Sequence, residues 1–142
     1  MSHPANALQK AVYARLKAYA PLTAELGTAK IYDTLPQTTP TPYVVIGDDT
    51  NIDWSTKTEP GWECTLNIHA FTEDLPGRKK VKAVLGHIYD ALHQQEGALD
   101  ITGFQIIVLT YEFDTSYLEE TAEGQPDKYW HGVIRFRALI QV

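Results

Sequence analysis

The side chains that commonly perform catalysis are few in this chain and stand in no catalytic pattern. The serines are Ser2, Ser55 and Ser116, and none lies in the Gly-x-Ser-x-Gly setting that exposes a nucleophile on a sharp turn. Cys64 is the single cysteine, and it falls in phase with the apolar residues of a predicted strand. We therefore expect Cys64 to lie in the core with an inert thiol, and we expect no catalytic residue.

Two pairs of histidines are candidates for metal ligands, and their spacing decides between this and other roles. His87 and His93 share a predicted helix but stand six positions apart, so they lie on different faces, whereas ligands on one helix are three or four apart. His69 and His131 occupy the polar phase of two predicted strands and are neighbours if those strands pair. A two-histidine metal site is one interpretation, and a solvent-facing or interface pair is the favoured one. We expect no metal and no cofactor.

Acidic residues and glycines offer no further site. Neither G-x-G-x-x-G nor the P-loop pattern occurs, so the sequence does not support nucleotide binding. The aspartates at positions 48, 49 and 53 are interpreted as a solvated turn because no glycine-centred calcium loop follows them. Glu119 and Glu120 are adjacent on a predicted loop, which holds a pair of carboxylates too loosely for acid and base roles.

The chain is acidic, with 12 Lys and Arg against 18 Asp and Glu and a formal net charge of -6. Binding along a phosphate backbone relies on clustered cations, so this balance argues against a protein that coats DNA. Four basic residues cluster in the first turn of a predicted helix: Arg78, Lys79, Lys80 and Lys82. The helix dipole disfavours cations there. Either Glu73 and Asp74 offset this charge, which is the favoured interpretation, or an acidic partner surface does so; contact with DNA phosphates is the third.

Hydrophobic periodicity predicts two helices and four main strands. The first amphipathic helix spans residues 6–20, where Pro21 ends or redirects it, and the second carries apolar residues at helical spacing from Val81 to Leu92 and ends at Gly97. A short extended piece covers residues 30–33. The strands are predicted at residues 43–46, 62–70, 104–113 and 129–142. The third strand is apolar at nearly every position, which is typical of a central strand covered on one face and partly covered on the other.

These elements, in the order α-β-β-α-β-β, predict an α+β fold with a mostly antiparallel sheet and two helices packed on one face. The 142 residues suit a single domain. Residues 48–60 are interpreted as a long hairpin connection and residues 114–128 as an exposed acidic loop. No apolar stretch reaches the roughly 18 residues of a membrane span, and no signal peptide pattern begins the chain, so we expect a soluble intracellular protein without a membrane partner.

Five short segments spread over nearly the whole chain carry a family resemblance: residues 8–16, 31–37, 42–47, 53–57 and 131–139. In this order and spacing they resemble the small tail-completion proteins of long-tailed phages, prophages and gene transfer agents. The resemblance implies a tail terminator or tail-to-head joining protein that assembles as a ring, expected to hold six subunits, on the last ring of the tail tube. Such a ring stops tube growth and joins the tail to the neck. The family supplies no catalytic residue to carry over.

The implied partners are further copies of the chain, the tail tube protein and a neck, connector or stopper protein, while DNA passes through the lumen without specific binding. The implied location is the tail and neck region of a virion, and the host cytoplasm during assembly. A neck adaptor or stopper of related fold is the main alternative. A small intracellular enzyme is another, although the sequence locates no cleft with converging titratable groups.

Two sets of residues are predicted to act in the assembly. Trp54 and the end of the last strand place apolar groups at element ends, which favours subunit contacts; the strand-end residues are Leu139, Ile140 and Val142. Acidic walls repel the phosphates of DNA in a channel. Three acidic residues are therefore predicted to face the lumen: Glu119, Glu120 and Glu123.

Overall fold

A computed structural model describes residues 3–36, 39–75, 77–120 and 128–142. The described helices are α1 (Ala5–Ala18), α2 (Ala20–Leu26) and α3 (Arg78–Leu92), with a 3-10 turn at Glu96–Ala98. The described strands are β1 (Ile31–Tyr32), β2 (Tyr43–Asp53), β3 (Gly61–Glu73), β4 (Gln105–Glu120) and β5 (Lys128–Gln141). The predicted α+β class is confirmed, with three α-helices rather than two. None of these helices combines the length and the apolar character that crossing a membrane requires.

The first predicted helix is two helices. Tyr19 separates α1 from α2 with extended backbone angles, φ -84° and ψ 99°. Pro21 lies in the first turn of α2, where its missing N–H would have no helical partner in any case. The chain is therefore redirected before the proline, and the proline begins the next helix. Gly27, at a φ of 87°, ends α2 in a backbone conformation that favours glycine.

The described strands form one sheet in the order β1-β2-β3-β5-β4, and among them only the β1–β2 pair is parallel. β3 and β5 pair without interruption from Gly61 opposite Gln141 to Glu73 opposite Tyr129. Side chains on these two strands point alternately to the face that the helices cover, where most are buried, and to the opposite face, where most are half-exposed. The helices cover the buried face, and the apolar residues there form one core cluster with α1, α2 and α3.

β4 is an edge strand, so the prediction of a central strand at residues 104–113 is wrong. Its apolar residues are not all buried: Ile107 is 38% exposed and Phe113 is 46% exposed. Two irregularities in the β4–β5 register, between Ile106 and Val108 and between Tyr111 and Phe113, break the alternation of the strand. Apolar composition at nearly every position therefore belongs to a bulged edge strand and not to a central strand.

Two polar segments predicted as loops are strand. β4 continues through residues 114–120 in register with β5, from Asp114 opposite Ile134 to Glu120 opposite Lys128. β2 likewise continues to Asp53, which pairs with Trp62. Side chains on an uncovered sheet face can be polar, so hydrophobic alternation is weak in these segments although the backbone ladder is complete.

The second predicted helix ends at Leu92 and not at Gly97. His93 leaves the helix with extended backbone angles, and the following residue, Gln94, donates its N–H to the carbonyl of Leu109 on β4 at 2.9 Å. The chain after α3 is thus tied to the edge of the sheet before it reaches the 3-10 turn.

Gly132 on β5 sets the distance between the sheet and α3. A Cβ at this position would lie 2.9 Å from side-chain atoms of both Val81 and Leu85. We expect Gly132→Val to destabilise the fold by about 1–3 kcal/mol through overpacking. Urea unfolding followed by circular dichroism measures the change.

Gly86, on the exposed side of α3, is the matched control because a Cβ there meets no atom within 4 Å. We expect Gly86→Ala to stabilise the helix by about 0.5–1 kcal/mol. Equal destabilisation by both substitutions would contradict the packing that the structure gives to Gly132.

Candidate functional site

The sheet face opposite the helices, here called the open face, carries an aromatic and polar cluster. Its members come from β2, β3, β4 and β5 and lie near the end of the sheet where α3 begins. The open-face cluster consists of Tyr43, His69, Phe71, Tyr117, Glu119, Tyr129 and His131. These side chains are half-buried apart from Tyr117, which is 43% exposed.

A chain of hydrogen bonds connects the two histidines to a carboxylate. Nδ1 of His131 lies 2.6 Å from Oε1 of Glu119, and Nε2 of His131 lies 2.7 Å from Nδ1 of His69. Because a carboxylate only accepts, His131 donates through Nδ1 to Glu119 and, in its neutral form, accepts through Nε2 from His69. The hydroxyl of Tyr117 lies 2.9 Å from Nδ1 of His131. The carboxylate therefore fixes the tautomers of both rings.

The surroundings shift the pKa values of several members of the cluster. Burial raises the pKa of Glu119, but hydrogen bonds from His131 and Tyr129 outweigh burial, and the pKa is lowered overall. The hydrogen bond to Glu119 raises the pKa of Tyr129 to about 12. Burial and then the neighbouring His131 lower the pKa of His69, against smaller opposite effects of Asp48 and Glu119.

Aromatic packing holds the histidine rings in place. The ring of Phe71 stacks on that of His131 with centroids 4.4 Å apart, and Tyr43 and Tyr129 flank Phe71 at 5.0 and 5.7 Å. A Cβ at Gly47, on β2, would overlap the ring of His69. Glycine at this position therefore gives the His69 ring its space.

The histidine pair is not arranged as a metal site. The predicted neighbours His69 and His131 do meet, but each directs a ring nitrogen at the other, so the lone pair of His131 is already used. No group of three or more metal-ligating side chains occurs in the described parts of the chain. The pair is a half-buried structural element of the open face.

Two arginines on the open face are each held by a glutamate. Arg137 donates to Glu63 at 2.7 and 3.1 Å, and Arg135 donates to Glu112 at 3.0 Å. The guanidinium groups are thus neutralised by neighbours on adjacent strands. The open face has little free positive charge with which to hold a phosphate.

The positive charge of the basic cluster at the start of α3 is balanced by other residues than those predicted. Lys80 Nζ pairs with Glu25 of α2 at 2.9 Å, and Arg78 lies over the ring of Trp130 at 4.8 Å. Within the described residues, neither Glu73 nor Asp74 pairs with the cluster, so the favoured interpretation is wrong. The remaining two lysines, at positions 79 and 82, are exposed and have no ion-pair partner among the described residues.

The residues predicted at subunit contacts differ in their accessibility. Trp54 is 37% exposed and Val142 is 55% exposed, so both present apolar surface. Ile140 is fully buried in the core cluster, where its side chain already packs within the chain. Leu139 is 8% exposed and lies on the open face, outside that cluster.

Of the three glutamates predicted to face a lumen, the structure describes the side chain of Glu119 alone. Glu119 belongs to the open-face cluster, where it accepts from His131. The side chain of Glu120 and all of Glu123 lie outside the described residues.

The prediction about Cys64 is confirmed: the side chain is fully buried, and burial raises the pKa of its thiol to about 11.

Comparison with known proteins identifies the family. Residues 10–141 match the model of the family described as Tail completion protein gp17. The chain belongs to this family. The predicted resemblance to tail-completion proteins is confirmed, and the protein is a structural protein of a phage-type tail.

A solved structure agrees with the family match. The tail-completion chain is similar over its whole length to a complete chain of a structure titled "Virion of native gene transfer agent (GTA) particle", with 28% identity and a TM-score of 0.80. No curated protein matches the sequence.

Sequence reasoning found the histidines of the cluster but missed their aromatic neighbours. Phe71, Tyr117 and Tyr129 stand in the polar phase of their strands, two residues from His69, Glu119 and His131 respectively. A large aromatic side chain among the polar, outward-facing residues of a strand is the sequence feature that indicates such a cluster.

The lowered pKa of His69 predicts a stability that depends on pH. Unfolded His69 titrates at its ordinary value of 6.5, whereas the folded residue titrates lower, so the unfolded chain binds more protons below that pH. We expect the tail-completion protein to lose stability as pH falls through 6.5. His69→Gln should flatten this part of the profile, as measured by urea unfolding between pH 5 and pH 8.

The carboxylate contribution lies in a lower window. Glu119 has a lowered pKa, so its stabilisation is present above 4.5 and is lost as pH falls further. A His69→Gln profile identical to that of the unsubstituted protein would show that His69 does not carry the effect near pH 6.

Proposed function

We propose that this tail-completion protein closes the end of a tail tube as a ring, stops further growth of the tube and joins the tail to the neck. The match to the tail-completion family over residues 10–141 carries the proposal. The similarity to a chain of a gene transfer agent virion supports a position in the tail and neck region of such a particle or of a phage. The ring is expected to hold six copies of the chain, which acts over residues 1–142 as one unit and by binding rather than by catalysis.

The open face is the surface proposed to line the channel, with the helices outside. Arg135 and Arg137 are occupied by glutamates, which leaves Glu73 and Glu119 as carboxylates without a Lys or Arg partner among the described residues. A face with surplus negative charge repels DNA phosphates. DNA would therefore pass through the lumen without specific binding.

Trp54 and Val142 are the residues proposed at subunit contacts. Both are exposed apolar side chains at the same end of the sheet, because Asp53 pairs with Trp62 and Gly61 pairs with Gln141. Apolar side chains that become buried when subunits associate carry much of the binding free energy at protein interfaces. Leu139 and Ile140 support this end of the sheet from within the chain.

Capping of tail tubes tests the proposal directly. We expect the purified protein, mixed with tail tubes, to form rings at tube ends that negative-stain electron microscopy detects. Trp54→Ala and Val142→Asp should each weaken ring formation about tenfold or more through loss of apolar contact.

Leu75→Ala is the matched control, since Leu75 is 80% exposed and lies outside the proposed contact. Variants with unchanged melting temperatures report on assembly alone. A protein that binds neck proteins but leaves tube ends bare would be a neck adaptor or stopper instead. A protein that forms no ring and binds neither would overturn the proposal.

The channel assignment has its own test in DNA retention. Glu63→Gln with Glu112→Gln frees Arg137 and Arg135, so we expect the double variant to bind duplex DNA at low salt. The affinity of a single bound chain should fall about tenfold between roughly 50 and 200 mM salt if that chain contacts two phosphates. Fluorescence anisotropy of a labelled duplex measures both effects.

Asp90→Asn with Asp100→Asn makes the same change in net charge away from the open face. We expect this control to bind DNA no better than the unsubstituted protein. Equal binding by both double variants would mean that net charge, and not the open face, governs contact with DNA.

A further inference from the structure

Both edges of the sheet include a segment without a strand partner among the described residues. β4 is the last strand on one side. On the other side, β1 covers only Val44 and Val45 of β2, so the outer edge of β2 is unpaired from Ile46 to Asp53. Unpaired strand edges expose backbone donors and acceptors and readily add a further strand.

The loop after α3 covers one half of the β4 edge and leaves the other half open. Gln94 donates to the carbonyl of Leu109 at 2.9 Å, and the N–H of Tyr111 donates to Nδ1 of His93 at 3.1 Å. Among the described residues, no comparable backbone bond reaches the outer edge of β4 in residues 112–120. The available edge is therefore this segment, here called the β4 arm.

We propose that the β4 arm of one subunit pairs with the outer edge of β2, residues 46–53, of the next subunit, so that the sheets of the ring become continuous. This inference rests on the ring proposed above and names the surfaces that build it. The partner is a second copy of the chain, joined head to tail.

The strand directions suit this pairing. β2, β3, β5 and β4 are successively antiparallel, so β2 and β4 run in opposite directions. Neighbours in a ring are related by rotation about its axis, which preserves the direction of each strand along that axis. The β4 arm therefore meets β2 of the next subunit in antiparallel orientation, and a tilt of the strands relative to the ring axis, as in β-barrels, is needed to bring the arm level with residues 46–53.

Exposed apolar side chains mark both edges. Phe113, Tyr117 and Leu118 on the β4 arm are 46%, 43% and 40% exposed, and Ile52 on β2 is 57% exposed. Phe113, Tyr117 and Ile52 share the open face, because their register partners Arg135, His131 and Glu63 point there. Cross-strand apolar pairs would bury this surface in an assembled ring.

Two lysines beside the β4 arm and two aspartates on the β2 edge are opposite in charge and have no ion-pair partner among the described residues. Lys79 and Lys82 occupy one exposed face of α3, and Lys82 lines the cleft between α3 and Asp114 of β4. Asp49 and Asp53 on β2 stand opposite Leu66 and Trp62, so they point to the helix side of the sheet. These carboxylates have no cationic partner among the described residues.

Three acidic residues on the β4 arm are held by donors within their own chain. Asp114 accepts from the hydroxyl of Tyr111 at 2.6 Å, Glu112 pairs with Arg135, and Glu119 accepts from His131. Each of these carboxylates has a donor within its own chain. The two lysines of α3 are then the groups left to attract the aspartates of β2.

Cysteine cross-linking tests the pairing at tube ends. Ile52→Cys is combined in one chain with Phe113→Cys, Thr115→Cys or Tyr117→Cys, three alternate positions that sample the register. Under mild oxidation with tail tubes present, we expect at least one combination to give a ladder of disulfide-linked subunits. Each single variant, and the unsubstituted protein with its buried Cys64, should give none.

The outcomes separate this inference from the proposed function. Linked dimers from a single β4-arm variant would mean that two β4 edges meet, which overturns the head-to-tail pairing. Absence of linkage from all three combinations, with rings still seen on tube ends, overturns the inference and leaves the proposed function intact. Absence of rings for the unsubstituted protein overturns the proposed function itself.

Charge exchange gives a second readout that does not depend on disulfide geometry. Lys79→Glu with Lys82→Glu, and separately Asp49→Lys with Asp53→Lys, should each weaken ring formation about tenfold or more. Combining the four substitutions in one chain should restore it. Native mass spectrometry or microscopy of tube ends measures the ring. Failure of the combination to recover, with all variants folded by circular dichroism, would contradict the proposed facing of α3 and β2.

Discussion

The uninterrupted pairing of β3 with β5 is the constraint on which the other features of the molecule depend. Because side chains alternate along both strands, this register sends Ile68 and Ile134 under the helices and His69 and His131 to the open face. A slip by one residue would exchange the two faces completely. The core fixes the register, and the register in turn brings together the histidines, aromatic rings and arginines of the open face. Gly132 then admits α3 at close range.

Strands, helices and core positions could be predicted from the sequence where burial selects the residue type, and could not be predicted elsewhere. The alternation of β3 and β5, the core position of Cys64 and the apolar stripe of α3 all follow from one covered face. The strand segments 114–120 and 47–53 could not be predicted from hydrophobic alternation, because a strand that is not covered by other elements does not require alternating apolar residues. β4 was misplaced at the centre because bulges mix its two faces. Partners distant in sequence, such as Glu25 for Lys80, were not predictable from spacing.

The open face shows how an acidic protein can carry arginines beside a proposed DNA channel. Arg135 and Arg137 lie on the long β5 strand, and glutamates on β4 and β3 bind them. Ion pairs at a surface add little to stability, so holding the guanidinium groups away from other anions is the larger physical consequence. The histidine pair is held in a similar way, because Glu119 accepts a hydrogen bond from Nδ1 of His131 and so fixes the orientation of that ring.

The unequal protection of the two halves of β4 is the clearest physical link between the fold and assembly. Proteins that stay monomeric shield long edge strands with loops, charges or bulges. Here the loop at His93 and Gln94 shields the first half, while the second half keeps exposed Phe113 and Leu118 beside acidic residues. Those acids repel unselected strands, and three of them, Glu112, Asp114 and Glu119, already accept hydrogen bonds within their own chain. Such an edge resists random aggregation and still admits a partner whose register and charge are correct.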